Sequence, residues 1–449
     1  MMLNGSLTKV IPILAIPSVI SMIITSLYNM LDTFFVSQIG TVAIGAVGIC
    51  LAMDQFIAMF GSAIGNGASS FISRLLGANQ KKQAEQVLAA SLFATFMIGI
   101  IMCIIGHVFL ESVLKLVGAI DSILPTAAAY ANYTLYSAPF MAGAFVLNQS
   151  LRAEGSPVYS MFGILSGAAV NCVLAPLFIF VFRWGIAGAG IASTISKAIS
   201  FFVLLIPYLR RSSILRLSWR NVRFSRFIIK EVGKMSIPIF CRNSLMVFVT
   251  IVTSRTATSF GEAAIAAISI CNRAMNLFAS LLMGFGQGYQ PVVGYNWGAG
   301  KYDRVLKAFW FAVKFGFICM AAVGIPMIIF AGGFMRLFSA TDPEVIRIGS
   351  FAIRLQAIAL PVGAVVVVIN MTFTALGRAL GATILGLARQ GICFLPSVLI
   401  MPALFGVMGL AAAQAVADFL SIIIGIPLGI LILKDIKKMR AHAENTLMP

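Results

Sequence analysis

The sequence predicts an all-α integral membrane protein with twelve transmembrane helices, arranged as two six-helix lobes related by a parallel repeat. Three observations lead to this fold class. Of the 449 residues, 60% are hydrophobic and only 10% are charged, whereas about 25% of a typical soluble domain is charged. Apolar segments long enough to cross a membrane recur along the whole chain, and its second half repeats the first. The solvent for most of the chain is therefore lipid.

Twelve apolar windows reach the length of about 20 residues that a helix needs to cross a hydrocarbon core of about 30 Å. The first window is too long for the apolar part of a cleavable signal peptide and carries Asp32 near its end, so it counts as a span. The predicted spans cover residues 10–37, 44–75, 86–110, 126–150, 158–182, 186–208, 232–258, 264–294, 307–331, 348–375, 380–402 and 407–433.

The basic residues orient these spans. Lys and Arg number 32 against 14 Asp and Glu, and most of those outside the spans fall on one side of the predicted membrane. The positive-inside rule then places both termini in the cytoplasm of a multi-pass protein of the cell inner membrane. The predicted parts are an N-terminal lobe (1–208), a basic linker (209–231), a C-terminal lobe (232–433) and a basic tail (434–449). We expect the linker to be a solvated connector that touches anionic lipid, rather than a nucleic-acid site.

The two halves of the chain are a duplication. A shift of 221 residues places Ile16 and Pro17 on Ile237 and Pro238. The same shift, or one residue more, superimposes further pairs: Pro139 on Pro361, Asn148 on Asn370, Gly155 on Gly377, Gly185 on Gly406 and Gly188 on Gly409. Because six spans are an even number, both halves start on the same side of the membrane. In such a parallel repeat a substrate path lies between the halves.

Acidic residues inside the spans are the first candidates for function. Only Asp32, Asp54 and Asp418 qualify, and a charge at such a position costs at least about 2.5 kcal/mol and is usually kept for ion or proton work. Asp32 ends a polar stripe on the first span, with members three or four residues apart, which faces the bundle interior. The stripe contains Ser18, Ser21, Thr25, Tyr28 or Asn29, and Asp32. Helix-packing hydrogen bonds are the alternative role for this carboxyl group.

Depth in the membrane brings other polar residues to the same layer as Asp32. With a rise of about 1.5 Å per residue, Asp54 and Asn171 lie in the same outer half of the membrane, and Tyr130 and Ser193 reach the same layer from the fourth and sixth spans. A carboxylate among hydroxyl and amide groups in a low dielectric can exchange a proton when its access to water changes. The same oxygens also suit sodium.

The second half carries arginine where the first half carries carboxylate. Thr253 and Met275 replace Asp32 and Asp54 in the repeat alignment. The arginines predicted deep in spans of this half are Arg242, Arg273 and Arg389. They either pair with backbone carbonyls and lipid phosphate, or they meet an anionic part of the substrate or a partner in the other lobe. Lys197 and Asp418 occupy equivalent positions of the repeat, in the sixth and twelfth spans. They either form an ion pair with each other or serve helix packing, and helix packing is preferred.

Several chemistries are excluded by composition. The seven cysteines are scattered without a CxxC motif, and His107 and His442 are the only histidines, so we expect no metal site and no catalytic site. The Gly-rich stretch 284–300 lacks the Lys-Ser/Thr of a P-loop. No span carries a catalytic constellation. The chain is therefore predicted to be no enzyme and to need no cofactor.

The sequence resembles the multidrug and toxic compound extrusion (MATE) family over essentially its whole length, and is most similar to the branch related to the DNA-damage-inducible transporter. The residues that carry the resemblance are Gln290-Pro291-Val292-Val293-Gly294-Tyr295-Asn296-Trp297-Gly298-Ala299, Ser73-Arg74-Leu75-Leu76-Gly77, Arg152-Ala153-Glu154-Gly155 and Gly188-Ala189-Gly190-Ile191-Ala192. The resemblance implies twelve helices in two lobes, alternating access, and efflux of amphipathic, often cationic compounds against an inward flow of protons or sodium.

The family resemblance also assigns roles to single residues. Asp32 matches the first-helix aspartate that takes the coupling ion, Asn171 the fifth-helix asparagine, and Tyr130 and Ser193 the tyrosine and hydroxyl residue of that site. Pro17 matches the proline at which the first helix bends, and a tolerated first-turn proline is an equally good interpretation of its position.

One expected group is missing from the pattern. Ala175 stands where the family has a second carboxylate, four residues after the asparagine. Sodium would lose a ligand and a neutralising charge there, so protons are favoured as the coupling ion. Asp54 is able to compensate in part, which keeps sodium open.

The expected function is that of a secondary active antiporter that exports amphipathic, cationic compounds. The residues expected to line its substrate cavity are Asp32, Asp54, Tyr28, Asn29, Gln55 and Arg273. Its expected partners are small amphipathic molecules, the coupling cation and membrane lipid, with no nucleic acid, and the chain is expected to be a monomer. The alternative function is a flippase for a lipid-linked saccharide or another large anion.

Overall fold

A computed structural model describes residues 2–338 and 342–447, and within these ranges the chain is helical with no β-strand. The helices of the first half are α1 (Leu7–Ser37), α2 (Thr41–Gly77), α3 (Lys81–Val108), α4 (Leu110–Val117), α5 (Leu124–Thr134), α6 (Ala138–Ala153), α7 (Pro157–Pro176) and α8 (Gly185–Leu209). Those of the second half are α9 (Arg226–Thr258), α10 (Glu262–Gly298), α11 (Tyr302–Phe338), α12 (Pro343–Ala375), α13 (Ala379–Leu387) and α14 (Phe394–Leu447).

The predicted fold class is confirmed, with a 3-10 turn inside the fourth predicted span and a π-helical turn inside each of the fifth and eleventh. Ten continuous helical segments in the described part of the chain are long and apolar enough to cross a membrane. The fourth predicted span is α5 and α6 joined by the 3-10 turn Leu135–Ser137. The eleventh and twelfth share the last segment, which runs through α13, the π-helical turn Ala388–Ile392 and α14, and which breaks at Gly406.

Backbone conformation repeats between the two halves. Gly406 has φ of 60° and its partner in the repeat, Gly185, has φ of 56°. Gly155 and Gly377, which the repeat also pairs, have φ of 90° and 74°. Residues other than glycine are strained at such angles. These glycines therefore allow the chain to turn between successive helices in both halves.

The described chain divides into two compact units. The first unit is Ile16–Ser236, and the second comprises the residues up to Ala15 together with those from Ile237 onward. Both boundaries lie inside a helix, α1 or α9, and next to the repeat-related prolines Pro17 and Pro238. The sequence boundaries at 208, 231 and 433 follow the spans and stay a prediction.

In the first unit, α2 packs on α3, α5 and α6, and α8 packs on α5, α6 and α7. Small side chains line the contacts nearest the polar residues described below, which lets the helices approach closely. The loop that follows α8 also belongs to this unit, because two buried carboxylates hold it. Glu154 accepts hydrogen bonds from the Ser213 hydroxyl at 2.6 Å and the Leu215 amide at 3.1 Å, and Glu85 accepts one from the Arg216 amide at 3.1 Å.

In the second unit, α12 packs on α10, α11 and α14. The segment that precedes α1 is attached here as well. The Arg304 guanidinium donates to the Gly5 carbonyl at 2.7 Å, and Asn296 Nδ2 donates to the Met2 carbonyl at 3.2 Å. The first residues of α1 therefore belong to the second unit, and those of α9 belong to the first.

Candidate functional site

Four of the predicted site residues meet in the first unit, and together they are called the Asp32 site here. Asp32, Tyr130, Asn171 and Ser193 are all buried, and they come from α1, α5, α7 and α8. The Asn171 amide donates to Ser193 Oγ at 3.5 Å. Tyr130 also makes a side-chain hydrogen bond with Ser193, as does Tyr28 from the α1 turn that precedes Asp32. The Ser193 hydroxyl is therefore the common partner of three helices.

Asp54 pairs with a residue that was not predicted for this site. Lys197 Nζ lies 2.7 Å from Asp54 Oδ2, and both side chains are less than one-fifth exposed. Lys197 is four residues after Ser193 on α8 and hence on the same helix face. That spacing was the sequence signal that could have placed it here.

Asp32 differs from Asp54 in its pairing. Both Asp54 and Lys197 are close enough to interact electrostatically with the Asp32 carboxylate, but no ion pair within 4.0 Å joins Asp32 to any residue of the described ranges. With all three groups ionised the cluster carries a single net negative charge. One proton on Asp32 brings it to neutrality.

The other first-unit predictions have different surroundings. Asn29 and Gln55 are exposed, so their amides are free to meet another molecule. Ala175 is fully buried in an apolar cluster of the first unit, so no second carboxylate stands at this position. The hydroxyls of Ser21 and Thr25 donate at 2.8 Å to the carbonyls four residues earlier on α1, the first of these being that of Pro17. These two hydroxyls of the polar stripe therefore form hydrogen bonds within their own helix.

The second unit contains a cavity of about 590 Å³. Arg242, Arg389 and Asp418 line it, whereas Arg273 is exposed and outside its lining. Arg389 Nε lies 2.7 Å from Asp418 Oδ1. Lys197 and Asp418, whose pairing was weighed against helix packing, each have a partner of opposite charge within their own unit.

Two repeat-related helical units with ionisable groups inside membrane-spanning helices define a polytopic membrane transporter. The MatE family model matches residues 17–177 and 238–399, and the chain belongs to the MATE family of transporters. It is a multi-pass membrane transport protein and not an enzyme.

Similar proteins extend over nearly the whole chain. The multidrug export protein MepA of Staphylococcus haemolyticus (strain JCSC1435) is 27% identical over 427 residues, which is 94% of either chain. MepA of Staphylococcus aureus (strain MRSA252) is 27% identical over 410 residues, 90% of either chain. A crystal structure of MATE in complex with MaL6 matches with a TM-score of 0.92 and 24% identity, and the match covers 97% of this chain and 98% of that one.

Proposed function

We propose that this chain is an antiporter of the cell inner membrane that exports amphipathic, cationic compounds in exchange for protons. The MATE family membership and the MepA multidrug export relatives support export of such compounds. The distribution of basic residues supports cytoplasmic termini. The protein acts as a monomer, since each chain carries both repeat halves.

The ion pair of Lys197 with Asp54 is the observation that favours protons over sodium as the coupling ion. Sodium favours several oxygen ligands and a net negative site, and Asp54 is already neutralised by an ammonium group 2.7 Å away. Ala175 supplies no further oxygen. Asp32 is left as the carboxylate to be neutralised, and one proton does this without new ligands.

Exchange follows when the proton and a cationic substrate compete for Asp32. A cation held near the ionised carboxylate loses its electrostatic partner when the carboxylate takes up a proton from outside. Either ligand shifts the balance between the inward-open and outward-open states only by its different affinity for the two. Tyr28, Asn29 and Gln55 would contact the substrate beside Asp32, and α1 would bend near Pro17.

The test is dye efflux from liposomes that contain the purified protein. A fluorescent cationic dye is followed under an imposed proton gradient or an imposed sodium gradient, for wild type, Asp32→Asn and the matched control Asp121→Asn. Asp121 is an exposed carboxylate. We expect proton-driven efflux by wild type and Asp121→Asn and none by Asp32→Asn.

Two outcomes would contradict the proposal. Efflux driven by sodium alone would refute proton coupling, and then Asp54 would have to leave Lys197 to bind the ion. Absence of dye efflux under both gradients would favour the flippase for large anions.

A further inference from the structure

The cavity of the second unit, called the Arg242 cavity here, has the size of a small-molecule site. Its volume of about 590 Å³ lies within the range of about 300–1,000 Å³ that is usual for such sites. Helices α9, α10, α12, α13 and α14 and the π-helical turn Ala388–Ile392 all contribute to its lining. The π-helical turn carries Arg389, and such turns are frequent at functional sites.

One carboxylate and one arginine of the cavity neutralise each other. Arg389 approaches Asp418 through two nitrogens, with Nε 2.7 Å from Oδ1 and Nη2 3.5 Å from Oδ2. Gln414 Nε2 adds a third donor to the same carboxylate, 3.4 Å from Oδ1. Among the described side chains of the lining, Asp418 is the one acidic residue, and its charge is matched by Arg389.

Arg242 is the charged residue of the cavity that does not take part in the Arg389–Asp418 pair. Among the side chains that the structure describes, no carboxylate lies within 4.0 Å of its guanidinium, and its electrostatic neighbour is a second cation, Arg389. The ionised cavity therefore carries one net positive charge. An uncompensated cation inside a membrane-spanning bundle is costly, and an anion seated beside Arg242 would remove that cost.

The remaining lining suits a ligand that is both apolar and polar. Four methionines, whose side chains are flexible and adapt to irregular ligands, are part of the lining, together with amides that can bind polar groups. The methionines are Met246, Met275, Met283 and Met371.

From these observations we propose that the Arg242 cavity binds an amphipathic compound with a single negative charge, such as a carboxylate or a phosphate diester. Arg242 binds the anionic group, the Arg389–Asp418 pair is its charged neighbour in the lining, and the methionines contact the apolar part. This site is separate from the Asp32 site and does not depend on proton coupling. A soluble anion and an anionic lipid head group offer the same chemistry.

The test uses two probes that differ by one charge. Dansylglycine carries a carboxylate and dansylglycine amide does not, and their binding to the full-length protein in phosphatidylcholine nanodiscs is measured by fluorescence anisotropy. We expect wild type to prefer dansylglycine by at least about tenfold, the worth of one charge-assisted hydrogen bond. Equal affinity for the two probes, or no binding of either, would overturn the proposal.

Variants locate the site and separate binding from folding. Arg242→Gln should abolish the preference, Arg242→Lys should keep part of it, and Asp418→Asn should increase it because two cations then face the cavity. Arg354→Gln, an exposed arginine on α12 outside the lining, is the matched control and should behave as wild type. If Arg242→Gln does not fold, the opposite effects of Arg242→Lys and Asp418→Asn still decide. An unchanged preference in Asp418→Asn and Arg242→Lys would refute the assignment.

A last measurement identifies the source of the anion. Nanodiscs are prepared with increasing phosphatidylglycerol. Displacement of dansylglycine by this lipid in wild type assigns the cavity to a lipid head group, and undiminished binding assigns it to soluble compounds. Both results support an anion site.

Discussion

Glu154 makes the stability of the first unit depend on pH. It follows α6 outside the predicted spans and is only 2% exposed. Burial raises the pKa of its carboxyl from 4.5 to about 7, although hydrogen bonds from Ser213 and Leu215 and the positive charge of Lys81 oppose the rise. Tyr208 is the other titratable group that faces it.

The size and sign of the effect follow from this pKa. The unfolded chain releases the proton near pH 4.5, and the folded protein keeps it until about pH 7. Between these values the folded state binds one proton more, so the free energy of unfolding falls by about 1.4 kcal/mol for each pH unit gained. The stabilisation is complete below pH 4.5 and lost above pH 7, a total of about 3 kcal/mol.

The assay is guanidinium unfolding in a neutral detergent between pH 4.5 and 8, for wild type and Glu154→Gln. The glutamine cannot titrate. The unfolding free energy of wild type minus that of Glu154→Gln should therefore fall by about 3 kcal/mol as the pH rises across this window. Glu111→Gln, an exposed glutamate on α4, is the control and should follow wild type. Parallel pH curves for wild type and Glu154→Gln would refute the reasoning.

Three further stability predictions can be checked in the same unfolding assay. Lys197→Met leaves Asp54 buried without its partner and should lower the free energy of unfolding by about 3 kcal/mol. The double variant Lys197→Met with Asp54→Leu should recover most of that loss. An equal loss in the single and the double variant would contradict the ion pair. Gly99→Ala should cost about 1–3 kcal/mol, because its new methyl group would overlap the backbone of Pro139. Gly233→Ala has open space in the same unit and should instead stabilise its helix by about 0.5–1 kcal/mol; a loss there would show that the helix tolerates no added methyl group.

The span pattern and the repeat could be predicted from the sequence because both are properties of the chain read in order. Hydrophobic length identifies a membrane helix without its neighbours, and the offset that pairs Gly185 with Gly406 reappears as two matching backbone corners. The breaks within spans were harder. Only the backbone shows that residues 135–137 form a 3-10 turn while Pro17 leaves α1 continuous.

The polar site could be predicted in its members but not in its pairs. Helix periodicity and depth placed Asp32, Asn171 and Ser193 in one layer, and in the first unit all three are buried and the Asn171 amide donates to Ser193. An ion pair depends in addition on the rotation of two helices about their axes. Lys197 and Asp54 are 143 positions apart, so no local pattern in the sequence specifies that contact.

The loop held by Glu154 has a consequence for how the halves of this protein can be cut and rejoined. The residues from 209 to Ser236 belong to the same unit as the helices that precede them, and Phe224 and Phe227 make edge-to-face contacts with Phe93 on α3 and Phe71 on α2, respectively. A chimaera joined after residue 209 would strip these aromatic and carboxylate contacts from their half. A junction at Ser236–Ile237 preserves them. During synthesis, the same position is the point at which all residues of the first unit have been added to the chain, so that the unit can form all of its internal contacts.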